Sequence, residues 1–202
     1  MLDTGWMMRI KLAAAAIVAL AAALPAVAQV PHPRDVFGFD PGDDYQLADY
    51  DQMLDYYDRL DAASDRVQKT EIGTTALGKP LLLLFISSEE NLANLDRWKE
   101  ASGRLARARI SEGEAGQLAA EGKAIVWIDG GMHATERAHA QMTPLLAYRV
   151  ATEETSEMQR IRDDVILLLM PVMNPDGLKI STDWYRQNRG TAFETTGPPV
   201  LH

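Results

Sequence analysis

Two six-residue runs, Leu81-Leu82-Leu83-Leu84-Phe85-Ile86 and Val165-Ile166-Leu167-Leu168-Leu169-Met170, are apolar without alternation. A strand that carries apolar side chains on both faces has to be covered on both faces. The runs therefore predict an α/β sheet with helices packed on either side. At 202 residues the chain is long enough for one domain with a substantial core.

The remaining periodicities fit that layout. Leu47, Tyr50, Met53, Leu54, Tyr57 and Leu60 place one apolar stripe on a helix over Asp44 to Leu60. Strands are expected over 67–72, 81–87, 124–129 and 165–170, the first two joined by the turn-rich Gly73 to Pro80. Further helices are read from Asn91 to Arg109, from Glu114 to Glu121 with Gly122 at its carboxy end, and from Thr143 to Glu153. Thr143-Pro144 is taken as a helix start, since proline at the first position loses no bond. The stretch from Thr191 to His202 has neither period and reads as loop.

The amino terminus reads as a signal rather than as fold. Arg9 and Lys11 precede the apolar stretch Leu12 to Leu24, and Pro25-Ala26-Val27-Ala28 supplies a small-x-small cleavage pattern. That apolar core is shorter than the roughly 20 residues of a membrane span. The expected division is a signal peptide at 1–28 and a catalytic-type domain at 29–202, periplasmic or secreted, with no stable membrane anchor after cleavage. The chain has no cysteine, which excludes disulfides, thiolate metal ligands and a cysteine nucleophile. Its net charge of −9 argues against nucleic acid as a partner.

Ligands of open α/β sheets bind beyond the carboxyl ends of strands. Just past Asp129 stand Gly130-Gly131-Met132-His133-Ala134-Thr135-Glu136. His133 and Glu136, three residues apart, can converge on one metal at roughly 2.0–2.2 Å from each donor. The plainer alternative is a surface histidine beside a solvated glutamate. His139 repeats the spacing from Glu136, but one straight helix would put it about 9 Å along the axis from His133, so it is read as a residue that supports a ligand from outside or simply packs. His32 sits close to the cleavage point, and nothing in the sequence fixes His202. Two further clusters stand out. Asn174-Pro175-Asp176-Gly177 is turn chemistry past a buried strand. Trp184-Tyr185-Arg186-Gln187-Asn188-Arg189 offers guanidinium groups either to an oxyanion or simply to solvent.

In order, Gly130 to Glu136, Met170 to Gly177 and Trp184-Tyr185-Arg186 resemble the motifs of the zinc carboxypeptidase family, the carboxypeptidase A-like metallopeptidases. The resemblance implies a mixed, largely parallel α/β sheet, with Zn2+ held by His133 and Glu136. It implies that Arg186 polarises the scissile carbonyl, and that a peptide or protein C-terminus is the substrate. The family's third zinc ligand, its general-base glutamate and its carboxylate-gripping Asn-Arg pair would all fall beyond residue 202. Asn188-Arg189 imitates that pair in letters but follows Arg186 too closely, and Thr135 stands where the family often has arginine. The expectation is thus the front portion of a carboxypeptidase, incomplete at the C-terminus, with open apolar strand edges. The alternatives are a zinc deacylase or amidase of the aspartoacylase type, which the Asn-Pro-Asp-Gly and Trp-Tyr-Arg segments disfavour, and a non-catalytic peptidase-like binding module.

Overall fold

The two apolar runs are neighbouring inner strands of one four-stranded sheet in a computed structural model that describes residues 29–198. The signal segment read at 1–28 and His202 lie outside the described residues. The strands are β1 (Val67–Thr74), β2 (Pro80–Ile86), β3 (Ala124–Asp129) and β4 (Val165–Met170), in the order β1-β2-β4-β3. β1 and β2 form an antiparallel hairpin, β2 is antiparallel to β4, and β3 is parallel to β4. The α/β sheet is mixed, as expected, but among these strands one pairing of three is parallel, so "largely parallel" does not describe them. An unbroken apolar strand requires cover on both faces, and an inner antiparallel strand meets that requirement as well as a parallel one.

Both faces carry helices. In chain order these are α1 (Pro33–Phe37), α2 (Tyr50–Ala63), α3 (Glu89–Ala93), α4 (Leu95–Arg107), α5 (Glu112–Glu121), α6 (Arg137–Thr152), α7 (Ser156–Asp164) and α8 (Pro175–Asn188). Leu82, Leu84 and Ile86 of β2 and Leu167 and Leu169 of β4 join the core with α2 and α6. The alternate residues Leu83, Phe85, Ile166 and Leu168 face a groove shared with Leu92, Leu95 and Trp98 on the α3–α4 side. Among the described residues no helix is long and apolar enough to cross a membrane.

Several boundaries differ from the sequence reading for identifiable reasons. α2 starts at Tyr50 rather than Asp44, because Asp49 and Gln52 form a reciprocal capping box. The Gln141 amide pairs with both Ala48 N (2.8 Å) and Ala48 O (2.9 Å), which holds the preceding segment as loop. The expected helix from Asn91 to Arg109 is broken at Asn94. α6 begins at Arg137, so Pro144 lies inside it. A proline there cannot bond the Ala140 carbonyl, and Thr143 Oγ1, 2.9 Å away, donates to it instead. α7 and α8 occupy stretches in which no helix was expected.

Candidate metal site and its surroundings

The parallel pairing of β3 with β4 brings their carboxyl ends side by side, and the backbone continues the zip beyond the strands. Gly130 N donates to Met170 O (3.0 Å), Met173 N to Gly130 O (2.8 Å) and Asn174 N to Gly131 O (3.0 Å). The glycine pair is required here. A Cβ on Gly130 would lie 2.7 Å from Thr143 Cγ2 and 2.8 Å from the carbonyl oxygens of His139 and Pro171. Gly131 has a φ of +57° with Ala140 Cβ 3.0 Å from its own Cβ position, so both conformation and space favour glycine.

This tight turn delivers His133 and Glu136 to each other. Glu136 N donates to His133 O (3.0 Å), and His139 N donates to Glu136 O (3.2 Å). The His133 Nδ1 lies 2.9 Å from Glu136 Oε1, and His133 N donates to Glu136 Oε2 at 3.1 Å. His139 Nδ1 stands 3.7 Å from that same Oε2. The side-chain and backbone hydrogen bonds from His133 hold the Glu136 carboxyl below the ordinary range. His133 precedes the helix rather than riding on it, which is why both imidazoles flank one carboxylate. Even so, among the described residues no group of three or more His, Asp or Glu is placed to hold a metal ion. The pair thus offers two donors where a zinc site takes at least three protein ligands, and no third stands with them among the described residues.

Arg186 is not brought to this pair. It sits in the last turn of α8, and its guanidinium donates to Asp49 Oδ2, to Leu47 O (2.8 Å) and to Gln52 Oε1 (2.8 Å). Burial works against the Asp49 charge, but the Gln52 amide and Arg186 outweigh it and its pKa is lowered. The Asn-Pro-Asp-Gly segment proves architectural. Asn174 Oδ1 accepts from Gly177 N (2.8 Å) and caps α8, with Pro175 at the first helical position. Asp176 reaches back to the β1–β2 turn, accepting from Thr75 Oγ1 (2.7 Å) and Leu77 N (3.1 Å). Asn188 bonds the Trp184 carbonyl of its own helix (2.9 Å), and Arg189 lies 5.6 Å from the Tyr45 ring centroid.

Arg137 is adjacent to the pair in sequence but faces away from it. Arg137, directly after the carboxylate, donates from Nε to Ser181 Oγ (3.4 Å) and places its guanidinium 5.9 Å from the Tyr185 ring centroid. It thereby braces the His133–Glu136 turn against α8. Arg137, Gln141, Met142 and Tyr185 form one wall of a depression of about 390 Å³, and the 41–47 loop forms the other. No local sequence signal could have joined that distant loop to Arg137.

The imidazole–carboxylate pair thus stands past the carboxyl end of a strand, where ligands of open α/β sheets bind. The family model for zinc carboxypeptidase, Peptidase M14, matches residues 53–197, and the chain belongs to that family. Among solved structures, the chain is similar to carboxypeptidase A from Helicoverpa armigera, at 16% identity and a TM-score of 0.47, covering 80% of this chain and 33% of that one. It is also similar to thrombin activatable fibrinolysis inhibitor, at 17% identity and a TM-score of 0.46, covering 73% and 31%. A metallo-carboxypeptidase from Burkholderia cenocepacia matches at 19% identity and a TM-score of 0.44, covering 65% and 28%. The chain therefore spans about a third of the length of these proteins.

Proposed function

We propose that this chain carries the His133–Glu136 half of the zinc site of an exported carboxypeptidase, one that hydrolyses the last peptide bond of a peptide or protein. The observation that supports this reading is the 2.9 Å approach of His133 Nδ1 to Glu136 Oε1 within the family-matched segment. A bound zinc supplies a Lewis acid and an acidified water. The chain's own contribution is positional: the Gly130–Gly131 zip fixes the turn, and Arg137 braces it against α8. Arg186 is assigned to the carbonyl oxygen of the scissile bond, a role for which its guanidinium has to leave Asp49.

The test is release of the terminal residue from a peptide with a free C-terminus by the zinc-supplemented protein that carries this segment, against the same peptide amidated. Release from the free peptide alone, abolished by His133→Ala and by Glu136→Ala, is the expected outcome. Hydrolysis of N-acyl amino acids in preference to peptides would replace this reading with the deacylase. Zinc held by the pair without turnover of any substrate would replace it with a peptidase-like binding module, the alternative that the two-donor site favours.

A further inference from the structure

The fold takes hold of the chain from Val30 onward, a residue that packs against the core shared by α2 and α6. Two residues on, His32 caps α1: Arg34 N donates to His32 Nδ1 (3.2 Å), and His32 N donates to Asp35 Oδ2 (3.0 Å). The His32 ring also meets Tyr148 of α6 edge-on, with centroids 4.8 Å apart. Pro33 and Phe37 are buried, and the Phe37 ring centroid lies 5.7 Å from that of Tyr56 in α2. Residues 30–37 thus form a strap pinned to both helices. Gln29, one position ahead of the strap, is exposed.

Ala26 and Ala28 supply the two small residues of a leader-cleavage site, so the bond to be cut joins Ala28 to Gln29. That bond lies just ahead of the strap, and cutting it removes none of the contacts made by residues 30–37. It leaves glutamine as an exposed chain end with a free α-amine. We infer, on the export reading proposed above, that Gln29 of the exported protein closes to a pyroglutamyl residue. The α-amine nitrogen attacks Cδ of its own side-chain carboxamide and forms a five-membered lactam. The Cδ–Nε2 bond breaks, and the amide nitrogen leaves as ammonia with the proton that the amine gives up. No oxidant, reductant or second substrate is consumed. α-Amines titrate at roughly 7.7–8.0, so a neutral, nucleophilic fraction exists near pH 7. The exposed Gln29 side chain is free to swing its carboxamide onto the amine, while the strap behind it stays in place. Trimming of a protein concentrates at its ends, and the lactam leaves no primary amine for an aminopeptidase to grip. The closed ring therefore protects the strap that covers the core.

The test is to express the full protein with its own leader in a bacterium that exports it, and to digest the recovered protein with trypsin. Cleavage after Arg34 releases the amino-terminal peptide Gln29-Val30-Pro31-His32-Pro33-Arg34. The expected peptide is lighter than its sequence by one ammonia and resists stepwise degradation that needs a free amine. The same peptide, synthesised open with heavy isotopes and added before digestion, reports closure caused by handling. Gln29→Ala, which cannot close, should give a peptide of full mass that degrades from its first residue. A peptide that begins at Gln29 with its full mass and a reactive amine would overturn the inference and leave export standing. So would closure no greater than in the labelled standard. A retained leader, or a first residue other than Gln29, would overturn the inference together with the cleavage reading on which it rests.

Discussion

Replacing Gly130 by alanine adds one methyl group at the point where the two site loops are zipped together. Its Cβ would sit 2.7 Å from Thr143 Cγ2 and 2.8 Å from two backbone oxygens, those of His139 and Pro171. None of the three can yield cheaply. Thr143 is fully buried, and its Oγ1 lies within hydrogen-bond reach of the Tyr57 hydroxyl (2.9 Å), Ala140 O (2.9 Å) and Pro171 O (3.1 Å). The oxygens belong to the first turn of α6 and to the loop after β4, so relief means shifting one of those elements. Overpacking of this kind costs roughly 1–3 kcal/mol. At roughly 2–4 °C per kcal/mol for a chain of this size, the melting temperature should fall by about 2–12 °C. The same chemical change at Gly116, within α5 and with nothing near its Cβ position, should act in the opposite sense. There the gain in helix propensity is about 0.5–1 kcal/mol. Calorimetric scans of the two variants beside the parent chain provide the assay. A Gly130→Ala melting temperature at or above that of the parent would refute the claim that the turn is sterically locked.

Three other changes probe the supports of the fold. Arg162, only 3% exposed, donates to Val150 O (2.9 Å) and Glu153 O (2.7 Å) at the end of α6. Arg162→Met orphans both carbonyls and should cost about 2–5 kcal/mol, read as a lower urea midpoint at unchanged slope. Asp176→Ala should cost about 1–2 kcal/mol and speed amide exchange at Leu77, while leaving zinc affinity unchanged. Glu154 is held by the Arg66 side-chain hydrogen bond at a pKa of about 2, against an ordinary 4.5. Its pKa is depressed on folding, so its contribution is complete above pH 4.5 and is lost as pH falls from there through about 2. Glu154→Gln should remove that part of the acid dependence, seen in unfolding curves measured across the interval.

The sheet was legible because its strands announce themselves: unbroken apolar runs at 81–86 and 165–170, and a third ending at Asp129. The His133–Glu136 pair was legible for the same reason, since its place follows from the end of that third strand. The helices at the site were less so, and each miss has a physical cause. Asn174-Pro175 was read as a turn, although asparagine at the cap and proline at the first position is also how a helix begins, and here α8 follows. Thr143-Pro144 carried the opposite ambiguity: a helix start by pattern, it lies in mid-helix because the Thr143 hydroxyl serves the Ala140 carbonyl in place of the missing donor. Gly122 closes α5 as read, with a φ of −70°, and it is the space 2.8 Å from Leu118 O that favours glycine there. Arg186 illustrates what no sequence reading reaches. Its partners Leu47, Asp49 and Gln52 lie more than 130 positions away and are gathered only by the fold.

The measurement that bears most directly on the zinc reading is a calorimetric titration of zinc into the chain at neutral pH, repeated with three alanine variants. His133→Ala and Glu136→Ala should each weaken binding by more than about 100-fold, beyond what loss of an outer-shell partner produces. His139→Ala should leave it within about tenfold, the lower end of that outer-shell range. Zinc binding that survives both of the first two substitutions would contradict the account, for the metal would then be held somewhere other than the end of β3.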